Sequence, residues 1–197
     1  MGGGDKPLRM LGGRSLLDHA IARIAPQVSA LVLNANGDAG RWARFDLPVV
    51  ADPLPDFPGP LAGILAGLRW AQATHPGVAD MLSVPTDTPF LPHDLVARLL
   101  AGRGAHPMAC AASGGWTHPV IGLWPVALAD ALEAALRGGE RKIDAFTARH
   151  GVAEVDFATD PFDPFFNVNR PDDLVAAEVL IAQHLHQETG FARPGQD

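Results

Sequence analysis

Cysteine is nearly absent. Cys110 is the only one in 197 residues, which excludes an internal disulfide and a thiolate zinc cage. Lysine is almost as scarce: Lys6 and Lys142 are the only two, and every other basic side chain is an arginine. No excess of positive charge exists either. With a formal net charge of −7 the chain lacks a basic nucleic-acid footprint. A phosphorylated ligand would have to be met by a few local positive groups and backbone N–H donors. Long apolar runs are missing too. Those at Ala30 to Leu33 and Met81 to Val84 fall far short of the roughly 20 residues needed to span a bilayer. The opening Met-Gly-Gly-Gly-Asp-Lys-Pro has no apolar core of the kind found in signal peptides. The expectation is a cytoplasmic monomer with neither nucleic acid nor membrane as partner.

What is present is a globular composition, 47% hydrophobic and 19% charged. The length suits one domain, expected over residues 1–187, with a disordered tail at 188–197. Ser15 reads as a helix N-cap with Asp18 three residues on, a shorter cousin of the capping box, and Leu16, Leu17, Ala20, Ile21 and Ile24 recur at helical spacing up to Pro26. Ser29 to Asn34, Val49-Val50, Asp80 to Val84, Met108 to Ala112, Val120 to Trp124 and Ala153 to Phe157 read as strands. Helices are predicted over about 61–74, 93–101, 125–137 and 143–150, with a last one from Pro171 to about Gln187. Strands alternating with helices predict an α/β fold, a mostly parallel sheet with helices on both faces. Ligands in such folds bind beyond the carboxyl ends of the strands.

Several polar clusters fall at those ends. Asp87, in Pro85-Thr86-Asp87-Thr88-Pro89, follows an apolar strand on a loop stiffened by prolines. It can hold a hard cation such as Mg²⁺ together with substrate phosphates, or simply bond its own backbone. Gly2-Gly3-Gly4-Asp5-Lys6 can aim N–H groups and one ammonium at a phosphate, although Gly-Lys-Ser/Thr is missing and this is no Walker A loop. Phe57 to Gly63 enters a helix through prolines and glycines and can lie against a flat base or an anion. Asn167 and Asn169 alternate on one side of an extended segment. His118-Pro119 precedes a strand, and a lone histidine there is more often structural than catalytic. No serine or cysteine nucleophile with a matched base stands out: Ser83 is mid-strand, and Cys110 lies in an apolar run that leaves a thiol inert.

In this order the pieces resemble the molybdenum cofactor guanylyltransferase family. They are Gly3-Gly4-Asp5-Lys6, Asn34-Ala35-Asn36, Asp52 ahead of Pro58-Gly59-Pro60-Leu61-Ala62-Gly63, Asp87-Thr88-Pro89, His118-Pro119, and Asn167-Val168-Asn169 followed by Pro171. The resemblance implies a Rossmann-like nucleotidyltransferase fold that binds GTP with Mg²⁺, joins GMP to the terminal phosphate of molybdopterin and releases pyrophosphate. It further implies that Gly3, Gly4 and Lys6 meet the nucleotide phosphates, that Asn34 and Asp52 help bind guanosine, and that Pro60, Leu61 and Gly63 shape the base pocket. Asp87 would hold the metal, acting with Lys6 in catalysis, and Asn167, Asn169 and His118 would lie toward the pterin. Cofactor-accepting molybdoenzymes or their chaperones are the implied partners. The family opens with an apolar strand and Leu-Ala-Gly-Gly ahead of such a glycine run, so a central first strand and half of the phosphate loop are expected to be missing from this chain and to lie upstream of Met1. Such a sheet would have two bare strand edges and a void between them. Alternatives are a CTP-using or sugar-phosphate nucleotidyltransferase, or a non-catalytic cofactor-binding relative.

Overall fold

The structure is a computed structural model that describes residues 6–54 and 59–189, with side chains to residue 183. After a short turn at Lys6–Leu8, two-residue strands β1 (Met10–Leu11) and β2 (Arg14–Ser15) form a small antiparallel hairpin. Helix α1 (Leu16–Ile24) starts on the predicted box: the Ser15 hydroxyl accepts from the Asp18 N–H, while the Asp18 carboxylate accepts from the Ser15 N–H. Its Leu16, Leu17, Ala20 and Ile24 are buried, each larger side chain contributing about 1.5–3 kcal/mol of apolar transfer. Strands β3 (Leu33–Asn34) and β4 (Val49–Val50) pair in parallel. Helix α2 (Pro60–Thr74) follows, then β5 (Asp80–Ser83) and α3 (Leu95–Gly102). Strands β6 (Met108–Ser113) and β7 (Trp116–Pro125) turn on Gly114-Gly115. Helices α4 (Ala129–Arg137) and α5 (Ile143–His150), strand β8 (Val152–Phe157) and helix α6 (Pro171–Thr189) complete the order.

The larger sheet runs β5-β7-β6-β8. Strands β5, β6 and β8 point the same way, but the reversed β7 lies between β5 and β6, so two of the three ladders are antiparallel and the sheet is mixed, where a mostly parallel one was expected. Alternation along β6 and β7 sends Met108 and Trp124 to one face, among Leu61, Leu65, Leu132 and Phe146 of α2, α4 and α5. Ala109, Ala111, Ile121 and Leu123 go to the other, among Ile24, Leu95 and Leu99 of α1 and α3. Both faces are therefore covered. Helix α6 lies against the amino-terminal hairpin through Leu11, Leu16 and Ala177.

Three predicted boundaries shift. Strand β3 is only two residues long, because Ser29 to Val32 carry no ladder partner among the described residues. Strand β7 begins at Trp116 instead of Val120, since two glycines suffice for the turn and Trp116 already pairs with Ser113. Helix α6 continues to Thr189, past the predicted start of the tail, and residues 190–197 lie outside the described residues. Strands β3 and β5 belong to separate sheets, and a cavity of about 430 Å³ lies between them, lined by Leu31, Leu33, Met81 and Leu82 with Ile24 and Ile64 at its sides. No helix among the described residues is long and apolar enough to cross a membrane.

Candidate active site

The cavity opens onto polar groups at the ends of β3 and β5. Asn34, Gly59, Pro60, Gly63, Thr86 and Asp87 all line it. Asp87 sits on the loop beyond β5, where its backbone carbonyl accepts a hydrogen bond from the Val168 N–H (2.9 Å). That bond ties the Asp87 loop to the segment before α6. One carboxylate oxygen, Oδ2, accepts from the Lys6 ammonium, which also donates to Asn169 Oδ1. The other oxygen, Oδ1, is buried and has no partner among the described residues. A bare buried carboxylate oxygen is costly unless something supplies a positive charge or a proton. It is a position at which a cation or a hydrogen-bond donor could be accepted.

The Asn169 backbone is held from two sides. Its N–H and that of Arg170 both donate to Asp173 (2.8 and 2.7 Å), and Arg9 donates to its carbonyl (3.3 Å). The two backbone N–H donors, helped by Arg170 and Lys6, hold the Asp173 carboxyl below the usual aspartate range. Asn167, two residues earlier, is exposed. Val168 between them is buried in the core, as alternation requires.

A second cluster forms the floor beside α2. Asp52 accepts from Asn34 (3.0 Å) and Asn36 (2.7 Å), and its own N–H donates to Asn36 Oδ1 (2.9 Å). The Asn34 amide donates also to the Val50 carbonyl (3.1 Å). With its N–H groups spent, Asn34 turns Oδ1 toward α2. Gly63 has to be glycine there, because a β-carbon would stand 2.5 Å from that oxygen. Gly59 precedes the helix at φ 134°, a conformation that only glycine adopts without strain, and Pro60 takes the first helical position. Leu61 differs from expectation: its side chain is buried in the core cluster with Leu54 and Leu65 and does not line the cavity.

His118 lies apart from both clusters. One of its ring nitrogens, Nε2, is 2.7 Å from the Ser113 hydroxyl, which donates to Asp163 (2.9 Å), while the ring packs tilted against Phe165, 4.9 Å between centroids. Burial lowers its pKa against the opposing pull of Asp163. Neither Ser113 nor Asp163 was marked by the sequence. The available signal was Asp163 between Pro161 and Pro164, which resembles an ordinary turn. Gly3, Gly4 and Pro58 lie outside the described residues.

Two readings of inert groups hold. Ser83 donates to the Val120 carbonyl and accepts from the Trp124 indole, and burial pushes the Cys110 thiol up to about 11. Among the described residues no three histidine, cysteine or carboxylate side chains converge as a metal cage. The chemistry on offer is a single carboxylate, one ammonium, amide oxygens and a glycine-entered helix N-terminus around one mouth.

The model of the MobA-like NTP transferase domain matches residues 1–154. A molybdenum cofactor guanylyltransferase of Bradyrhizobium sp. (strain ORS 278) is 56% identical over 185 residues, 92% of this chain and 87% of that protein. Among solved structures, molybdopterin-guanine dinucleotide biosynthesis protein A from Archaeoglobus fulgidus superposes with a TM-score of 0.69 at 25% identity, covering 92% of both chains. The 2-C-methyl-D-erythritol 4-phosphate cytidylyltransferase of Thermus thermophilus shares the fold, with a TM-score of 0.62 at 21% identity over 91% of this chain and 95% of that one. On this match, and on a site built at the strand ends of an α/β sheet, the chain belongs to the MobA-like NTP transferase family.

Proposed function

We propose that the chain transfers GMP from GTP to the terminal phosphate of molybdopterin with Mg²⁺. A phosphate oxygen of molybdopterin attacks the α-phosphorus of GTP; the new P–O bond forms as the bond to the β-phosphate oxygen breaks, and pyrophosphate leaves. The attacking phosphate is already ionised at neutral pH, so no general base is needed, in keeping with the lack of a serine or histidine pair at the mouth. What the reaction requires is an in-line arrangement and neutralised charge.

The observation that carries this reading is the Lys6–Asp87–Asn169 cluster with one carboxylate oxygen left bare at the cavity mouth. Mg²⁺ prefers oxygen ligands, few of them from the protein and the rest from phosphates and water, and Asp87 with a neighbouring amide oxygen of Asn169 fits that donor set. When bound, the metal draws charge from the triphosphate and orients it. Lys6, tethered by Asp87 and Asn169, supplies a fixed positive charge to the phosphates from the amino-terminal side. The floor of Asn34 Oδ1 and the Asp52 carboxylate is rich in acceptors, which suits the N–H edge of guanine better than cytosine with its single amino group. The same floor favours GTP over the CTP-using alternative.

Incubating the purified protein with molybdopterin, Mg²⁺ and either GTP or CTP tests the proposal. The guanine dinucleotide and pyrophosphate are expected from GTP, with CTP a poor substrate and a weak competitor. Equal use of CTP would refute the guanine assignment, and no product from either nucleotide would refute the transfer.

A further inference from the structure

Lys6 carries its charge on a flexible four-carbon stem, and such an ammonium samples many positions unless acceptors hold it. Here two do, Asp87 Oδ2 and Asn169 Oδ1. Asp87 stands on a loop stiffened by Pro85 and Pro89. Asn169 has no such local support, because it lies on the link between β8 and α6, outside any helix or strand. Its side chain has only two torsions, so Oδ1 is placed only as well as the main chain of residue 169 is placed.

That main chain is held by Asp173. Helix α6 begins at Pro171, and the Arg170 carbonyl accepts from the Leu174 N–H (3.3 Å), so Arg170 is the residue that caps the helix. An acid in the first turn commonly accepts from the N–H of the capping residue, and Asp173 Oδ2 does so at 2.7 Å. The same oxygen takes a second N–H, that of Asn169, at 2.8 Å. Asn169 precedes the cap, so this bond adds nothing to the helix end. Its effect falls on residue 169, whose carbonyl accepts from Arg9 on the other side (3.3 Å). Asp172 lies in the same turn with the same charge, yet its side chain has no such bond among the described residues.

We propose that Asp173 is a positioning residue of the transfer site: by fixing the main chain of Asn169 it fixes Oδ1, and through Oδ1 the place of the Lys6 ammonium against the phosphates of the nucleotide. The proposal rests on the transferase reading above and deepens it. Asp173 acts through Asn169 and Lys6 rather than on a substrate, which gives its removal an unusual sign. By charge alone, taking a carboxylate away from the neighbourhood of a triphosphate strengthens binding. A weaker affinity therefore identifies position as the cause.

The test is a double-mutant cycle on the full chain, read as GTP affinity by calorimetry in the presence of Mg²⁺, with unfolding midpoints measured beside it. Asp173→Ala is expected to lower the affinity about fivefold, the worth of one hydrogen bond, in a protein that stays folded. In a Lys6→Met background the same change is expected to cost at most about twofold more, because the ammonium it placed is gone. Asp173→Asn, whose amide oxygen can still accept both N–H groups, is expected to recover most of the loss. Asp172→Ala, which removes an equal charge from the same turn, should stay within about twofold of wild type. An unchanged affinity in Asp173→Ala, a full additional loss in the double variant, or an equal loss in Asp172→Ala would overturn the positioning role, while GTP binding by the wild type left the transferase reading standing. An Asp173→Ala chain that does not fold would assign the residue to the helix end and overturn the role equally. A wild-type chain that binds no GTP would overturn both.

Discussion

The site is decided by a few atoms whose neighbours leave them no alternative. Asn34 illustrates this. Both of its N–H groups are taken, by Asp52 and the Val50 carbonyl, so its oxygen points at α2 and excludes a side chain at residue 63. Gly63→Ala is therefore expected to displace the Asn34 amide and weaken GTP binding about tenfold while the protein stays folded, as calorimetry with GTP and Mg²⁺ would show. Gly67 is the control. A β-carbon there would also meet an atom at 2.5 Å, but that atom is the sulfur of the flexible Met81, so Gly67→Ala should leave GTP affinity within twofold of wild type. The types and order of Asn34, Asp52, Gly63, Asp87 and Asn169 were legible in the sequence. Their bonding was not, because it depends on contacts across up to 163 positions, as between Lys6 and Asn169. Leu61 shows the opposite failure. It stands inside the motif, but helical periodicity turns its side chain to the core.

At the scale of elements, the amino-terminal end of α1 is the best example of a local rule carried through. Ser15 is fully buried and its hydroxyl serves three partners: it accepts from the Asp18 N–H (3.1 Å) and Arg44 (2.8 Å), and donates to the Asp18 carboxylate (2.6 Å). Ser15→Ala removes the cap and leaves these groups short of a partner, so a loss of about 1–2 kcal/mol is expected in urea unfolding. Burial raises the Asp18 pKa, but the Ser15 hydroxyl and N–H, with Arg44 and Arg14, outweigh it and hold the carboxyl below the ordinary aspartate value. A depressed folded-state pKa stabilises fully above the unfolded value and is lost as pH falls through the folded one. Stability measured from neutral pH downward should thus fall below about pH 4, and Asp18→Asn should flatten that limb. An acid limb unchanged in the variant would remove Asp18 from the account. The capping box was legible because it is contained in four residues. The two-residue strand β3 was overestimated because an apolar run predicts burial, while a ladder also needs a partner strand.

At the scale of the molecule, the decisive feature is the cavity between the β3–β4 pair and the four-stranded sheet. Alternation of helix and strand foretold the layers, but it could not say that the mouth of the cavity gathers Asn34, Gly63 and Asp87. On the proposed reading, a protein with a net charge of −7 meets the triphosphate with positive charge gathered at Lys6 and at the N–H groups opening α2. Affinity for GTP should fall steeply when that charge is removed. Lys6→Met is expected to lower it at least tenfold while the protein stays folded, with a modest drop in the unfolding midpoint because Asp87 loses the ammonium beside it. The most direct measurement is Mg²⁺-dependent GTP binding and GMP transfer by the wild type beside Asp87→Ala, with unfolding midpoints compared. The account predicts a folded variant that binds GTP no better with Mg²⁺ than without and transfers GMP at least a hundredfold more slowly. A folded Asp87→Ala protein with wild-type Mg²⁺ dependence and transfer would contradict it.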